Sequence, residues 1–146
     1  MISTREVIMY ETILVTLEAT PTDRAIIEHV KMLAKVTSSR VTLLHVATGV
    51  QAKWLGSDAA GEEVETDRAY LDRTKLEFEQ AGISAQTALA FGDPAKEIVK
   101  WVQEHPCDLV AMSTHGHQFV ADLVYGATAS RVQHNISVPV LMLRAK

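Results

Sequence analysis

Two short segments, Ser113-Thr114-His115-Gly116 and Gly126-Ala127-Thr128, have the residue types and spacing that could do chemistry, and that chemistry would be phosphate binding. Glycine lets the backbone come close to a ligand, and the free N–H groups at a helix start attract an anion. The hydroxyls of Thr114 and Thr128 add donors. A loop with two such turns, nine residues apart, could cradle a di- or triphosphate. The same glycines would serve equally well in tight turns and packing, and spacing does not separate the two readings.

Other chemistry finds less support. Of the six histidines, His115 and His117 stand two apart, but no Cys or carboxylate lies at ligand spacing beside them, so no metal site is expected. His45 falls inside an apolar run and reads as a core histidine with its polar atoms satisfied. Cys107 reads as a small buried thiol, with no cation close in sequence to activate it. Trp101 belongs to an apolar helical stripe, whereas Trp54 lies in an irregular segment and could cover a ligand or a partner. The phosphate-loop, dinucleotide, nucleophile-elbow and zinc-protease patterns are all absent. No paired nucleophile and base is visible, so the chain does not read as an enzyme, and any ATP hydrolysis would be slow and incidental.

The elements that must position these residues follow from apolar patterning. Runs that are apolar at nearly every position mark strands covered on both faces, as in a parallel sheet. They fall at Thr12–Leu17, Val41–Val46, Asp108–Ser113 and Val138–Leu143, with a weaker one near Ser84–Ala90. Between them lie helical stripes. Thr20 is placed to cap the first and Pro21 to start it, with Ile26, Val30 and Leu33 inward and Ser38-Ser39 breaking it. A second helix is predicted over Glu62–Ala81, with Val64, Leu71 and Phe78 spaced by seven and Gly82 at its end. Asp93 and Pro94 open a third, which buries Ile98, Trp101 and Val102. A fourth is predicted from Gly126 to about Asn135, after a partly helical loop. Ala47–Gly61 reads as a long loop. The order β-α-β-α-β-α-β-α-β implies an α/β fold of three layers: an open, parallel, five-stranded sheet with helices on both faces.

Length and composition agree. The 146 residues suit one domain, 10–146, after a short tail at 1–9. A net charge of −4 with no long basic run argues against a nucleic-acid partner. No apolar run reaches the roughly 18 residues of a membrane span, and the N-terminus lacks a signal peptide's apolar core. With a single cysteine no internal disulfide can form, and the expected compartment is the cytoplasm.

Ser113-Thr114-His115-Gly116, nine residues, Gly126, and then Ser137-Val138-Pro139-Val140-Leu141 together resemble the C-terminal signature of universal stress proteins. Ile13-Leu14-Val15, Val41-Thr42-Leu43-Leu44-His45-Val46 and Gly92-Asp93-Pro94 extend that resemblance over residues 11 to 144. It implies a Rossmann-like fold of the adenine nucleotide alpha hydrolase type. It further implies a regulatory module in stress response that binds ATP (with Mg) or AMP. The binding set so implied is Thr16, Glu18, Met112, Ser113, His115, Gly116, Gly126, Ala127 and Thr128. Glu18 would contact adenosine, His115 would shape the loop, and Ser113, Gly116, Gly126 and Thr128 would contact phosphates. The family's nucleotide motif has Gly where Ser113 stands and a hydroxyl residue where Ala127 stands; Glu18 replaces an Asp and Thr16 a Pro. These departures leave open a second reading, a dimeric interaction protein that binds no nucleotide. In either case the resemblance implies a homodimer through the edge strand Val138–Leu143.

Overall fold

The computed structural model describes residues 9–48, 57–114 and 121–145. These form five strands and four helices, in the order β1 Thr12–Leu17, α1 Arg24–Thr37, β2 Arg40–Ala47, α2 Ser57–Gln80, β3 Ala85–Phe91, α3 Pro94–Glu104, β4 Leu109–Thr114, α4 Ala121–Asn135 and β5 Val140–Arg144. The sheet order is β3-β2-β1-β4-β5 and every pairing is parallel. The alternation and burial expected of a sheet covered on both faces are both present. Ile13, Val15 and Leu17 of β1 join Val30 of α1 and Leu71 and Phe78 of α2 in one core. Leu14 of β1 joins Leu44, Val110 and Met112, with Ile98 of α3 and Val132 of α4, in the other. The side-chain period of two splits each central strand between two cores, which is why these runs carry no polar face.

Element ends follow local chemistry. Asp93 caps α3 by accepting a hydrogen bond from the Lys96 N–H at 3.0 Å, and Pro94 occupies the first turn. That N–H first, and the Arg131 guanidinium second, hold the Asp93 carboxyl below its ordinary range. Gly82 leaves α2 with φ +84°, and the Ile83 N–H reaches back to the Phe78 carbonyl at 3.0 Å. The Asp108 carboxylate accepts from the N–H groups of Glu11 and Thr12 at 2.7 and 2.8 Å, fastening the start of β4 to the start of β1. Cys107 is half-buried, and burial first and Asp108 second push its thiol up, as suits an unreactive cysteine.

Four boundaries differ from expectation. Pro21–Asp23 form a 3-10 turn, and α1 begins at Arg24, not at Pro21. Helix α2 begins at Ser57, so the long loop expected over 47–61 is partly helical; its remainder, with Trp54, lies outside the described residues. Gly61 masked this, although Ala59 and Ala60 are strong helix formers that offset one glycine. Helix α4 begins at Ala121, not at Gly126. Strand β5 begins after Pro139, which has no N–H to give, although its carbonyl accepts from the Val110 N–H at 3.0 Å.

Helix α1 ends at Ser38, whose φ of 54° and ψ of 40° are left-handed. A side chain there costs about 1 kcal/mol that glycine does not incur. Ser38 is exposed. Ser38→Gly is therefore expected to raise the melting temperature by about 2–4 °C, read by calorimetry.

Candidate functional site

In an open parallel sheet, ligands bind beyond the carboxyl ends of the strands, where successive crossovers leave in opposite directions. Here that point lies between β1 and β4, because the chain runs outward from β1 through β2 to β3, then returns to β4 on the other side. The two strands part there. The β1–β4 ladder stops at Val15↔Ala111, whereas β1 stays paired with β2 to Leu17↔His45 and β4 with β5 to Thr114↔Arg144. A crevice is thus built between Thr16–Leu17 and Met112–Ser113 by pairing alone.

The structure places the predicted residues as follows. Thr16 is half-buried near the end of β1, and Glu18 follows that strand directly. Thr22 donates its hydroxyl to a Glu18 carboxylate oxygen at 3.3 Å. The Met112 side chain is buried in the core under α3 and α4, so only its main chain can face the crevice. Ser113 is buried too, and its Oγ has no hydrogen-bond partner among the described residues. A buried hydroxyl without a partner costs about 1–3 kcal/mol. Its place at the carboxyl end of β4 makes it a ready donor to a ligand. Thr128 is half-buried on α4. His115 and Gly116 lie outside the described residues.

The earlier start of α4 changes one part of the expected chemistry. A helix leaves unsatisfied N–H groups only in its first turn. Gly126, Ala127 and Thr128 fall in the second and third turns, so the free amides of this helix lie upstream of them. From these positions, closeness at Gly126 and the hydroxyl of Thr128 are what could serve a phosphate.

Three residues that patterning did not single out, Asp23, Tyr70 and Asp67, hold the β1 end of the crevice together with His45. Asp23 is fully buried, and its carboxylate accepts from the Glu18 N–H at 3.0 and 3.1 Å, the Ala19 N–H at 2.9 Å and the Tyr70 hydroxyl at 2.6 Å. Burial first, then the Asp23 carboxylate, push the Tyr70 hydroxyl far above the ordinary tyrosine range. Asp23 also occupies the N-cap position of α1, where the helix dipole favours negative charge. His45 is buried as expected of a core histidine, and its Nδ1 donates to the Leu17 carbonyl at 2.7 Å. Its Nε2 lies 3.3 Å from Oδ2 of buried Asp67, an electrostatic approach and not a formed hydrogen bond. The sequence signal for Asp23 was slight: an acidic residue three after Thr20, in the spacing of a capping box. Thr20 has the extended backbone of a cap but makes no side-chain cap bond, and the Asp23 carboxylate turns back to the Glu18 and Ala19 N–H groups and makes no cap bond to α1 either.

The universal stress protein family model matches residues 9–144. The chain belongs to the universal stress protein family. Universal stress protein MJ0577 of Methanocaldococcus jannaschii is 24% identical over 158 residues, covering 95% of this chain and 98% of the relative. The solved structure of MJ0577 superposes with a TM-score of 0.80 at 25% identity, covering 94% of this chain and 98% of that one. A universal stress protein solved in complex with cAMP gives 0.71 at 15% identity, covering 94% and 98%. One from Archaeoglobus fulgidus, in complex with dAMP, gives 0.66 at 13% identity, covering 93% and 98%.

A second opening lies at the opposite end of the sheet from the strands' carboxyl ends, where ligands of such sheets bind. A cleft of about 700 Å³, lined by Arg40, Gln86, Trp101 and Asp108 among others, lies at the amino ends of the strands. Its carboxylate, Asp108, already accepts two backbone N–H bonds. Among the described residues no cluster of three metal-ligating side chains occurs, and no helix is long and apolar enough to cross a membrane.

Proposed function

We propose that this universal stress protein is a cytoplasmic regulatory module that binds an adenine nucleotide at the β1–β4 crevice, with ATP and Mg as the first candidate and AMP as the second. The observation that carries the reading is the parting of β1 and β4 at the switch point, with the unsatisfied buried hydroxyl of Ser113 beside it. Relatives of the same fold solved with cAMP and dAMP support an adenine ligand. Glu18 would contact the nucleoside and His115 would shape the loop. Ser113, Gly116, Gly126 and Thr128 would face phosphate, with Thr16, Met112 and Ala127 lining the site. The proposed module acts by binding.

Heating the purified protein and identifying what it releases by mass spectrometry, with calorimetric titration of ATP–Mg, tests this directly. Stoichiometric adenine nucleotide is the expected result. Ala127→Ser restores the hydroxyl of the family motif and should tighten ATP about tenfold or more, the worth of one hydrogen bond to a charged group. Gly126→Leu should abolish binding. No nucleotide and no heat at millimolar ATP would leave the second reading, a dimeric interaction protein, which Ser113 and Ala127 favour.

Strand β5 is an edge of the sheet, and Met142 on it is 38% exposed. An edge with unpaired backbone groups and apolar side chains invites a second copy. A homodimer through β5 should give twice the 16.0 kDa chain mass by light scattering, and Met142→Lys should return it to a monomer. A monomeric wild type at micromolar concentration would refute the assembly.

A further inference from the structure

The peptide unit joining Leu17 to Glu18 is held at both ends by buried side chains. Its carbonyl accepts from His45 at 2.7 Å, and its N–H donates to Asp23 at 3.0 and 3.1 Å. The next N–H, of Ala19, donates to the same carboxylate at 2.9 Å. Both grips end on one helix. Asp23 accepts from Tyr70 of α2, and His45 approaches Asp67 of α2. Asp67, Tyr70, Leu71, Thr74 and Phe78 follow helical spacing on one face, and Leu71 and Phe78 anchor that face in the core. The position of α2 is thereby fixed by packing and passed to the backbone around Glu18 by polar contacts.

The backbone there needs to be held. Ala19 has φ +62°, left-handed for a residue with a side chain. Such a conformation persists only where its surroundings over-determine it, and it concentrates at ligand-binding segments. Asp23 is 0% exposed, so its carboxylate depends wholly on protein donors for solvation. Removing the Tyr70 hydroxyl leaves the carboxylate accepting only from the two amides it is meant to hold.

We infer that Tyr70 and Asp67 of α2 are positioning residues for the ligand contact at Glu18, acting through Asp23 and His45, so that the crevice's affinity for adenine nucleotide depends on how α2 is seated. The inference rests on the nucleotide reading for its ligand but not for its geometry. By linkage, a nucleotide that orders the Glu18 segment also tightens the hold of α2, by the same factor.

The two relays have different signatures. Tyr70→Phe perturbs the bonds of both the Glu18 and Ala19 N–H groups, whereas Asp67→Ala acts through His45 on the Leu17–Glu18 peptide alone. Amide hydrogen exchange and ¹⁵N shifts of the ligand-free protein read them separately. Tyr70→Phe is expected to speed exchange at Glu18 and Ala19 together by tenfold or more; Asp67→Ala should shift Glu18 and leave Ala19 in place. Asp67→Asn, which keeps the shape but removes the charge facing His45, should shift Glu18 as Asp67→Ala does, and a wild-type Glu18 shift in both variants would overturn the His45 arm. A merely structural role would speed exchange across both cores instead. ATP–Mg affinity by calorimetry should fall fivefold or more in Tyr70→Phe, with Glu18-distant core amides unchanged. Exchange at Glu18 and Ala19 within twofold of wild type in Tyr70→Phe would overturn the relay. Altered amides with unchanged ATP affinity would overturn its link to the ligand. If the wild type itself binds no ATP, the nucleotide reading fails while the exchange data still decide the relay.

Discussion

Phe78→Ala is expected to lower the unfolding free energy by about 3–5 kcal/mol, a large part of the 5–15 kcal/mol that holds a domain of this size. Phe78 is 0% exposed and meets Leu71, Ile83 and the β1 side chains in the core beneath α1 and α2. Truncation loses about 1.5–3 kcal/mol of burial and adds the cost of a cavity that the surrounding sheet and helices can only partly fill. The control lies two residues away. Leu76 is 54% exposed, and Leu76→Ala should change stability by less than about 0.5 kcal/mol. Urea denaturation with unchanged slope would read both. A loss below about 1 kcal/mol for Phe78→Ala would mean that the second half of α2 is not seated as described.

That same helix shows how far the sequence could be read. Val64, Leu71 and Phe78, spaced by seven among charged residues, marked the stripe of α2, and Gly82 its end; Leu71, Phe78 and Gly82 stand as expected, whereas Val64 is only half-buried and outside both cores. Largely apolar runs at Ile13–Val15, Val41–Val46 and Leu109–Met112 announced a sheet covered on both faces, and every position in them is buried. Helix starts were less visible. Gly61 and Gly126 looked like punctuation, yet α2 and α4 run through both, since helical neighbours and tertiary packing outweigh the roughly 1 kcal/mol that one glycine costs. Of the proposed site, Glu18 and Ser113 were legible as candidates, because they stand where apolar runs end. Asp23, Tyr70, His45 and Asp67 were not, because the contacts that join Asp23 and His45 to α2 span 47 and 22 residues, which no local pattern encodes. His45 was placed correctly in the core, but its partners, the Leu17 carbonyl and Asp67, emerge only when β2 lies beside β1 and α2 covers both.

Asp23→Ala is the second substitution with a large expected effect, about 2–5 kcal/mol of stability. It leaves the N–H groups of Glu18 and Ala19 and the hydroxyl of Tyr70 without their acceptor, each worth about 1–3 kcal/mol if it stays buried and unpaired. Two effects work against the full sum. Removing a buried carboxylate ends the expense of desolvating it, and the space vacated can admit water to the stranded donors. The left-handed Ala19 pulls the other way, since the segment that strains it has lost its anchor. The balance remains unfavourable because three donors lose one acceptor at once. A double-mutant cycle with Tyr70→Phe isolates the contact that joins α2 to this segment. In the absence of Asp23 the Tyr70 hydroxyl has nothing to donate to there, so its removal should cost much less than in the wild type. The two losses should therefore fall short of additivity by at least about 0.5 kcal/mol. Additive losses would mean that Tyr70 and Asp23 act independently. The seating of α2 would then have no energetic hold on the backbone beside Glu18, whatever the distance between hydroxyl and carboxylate.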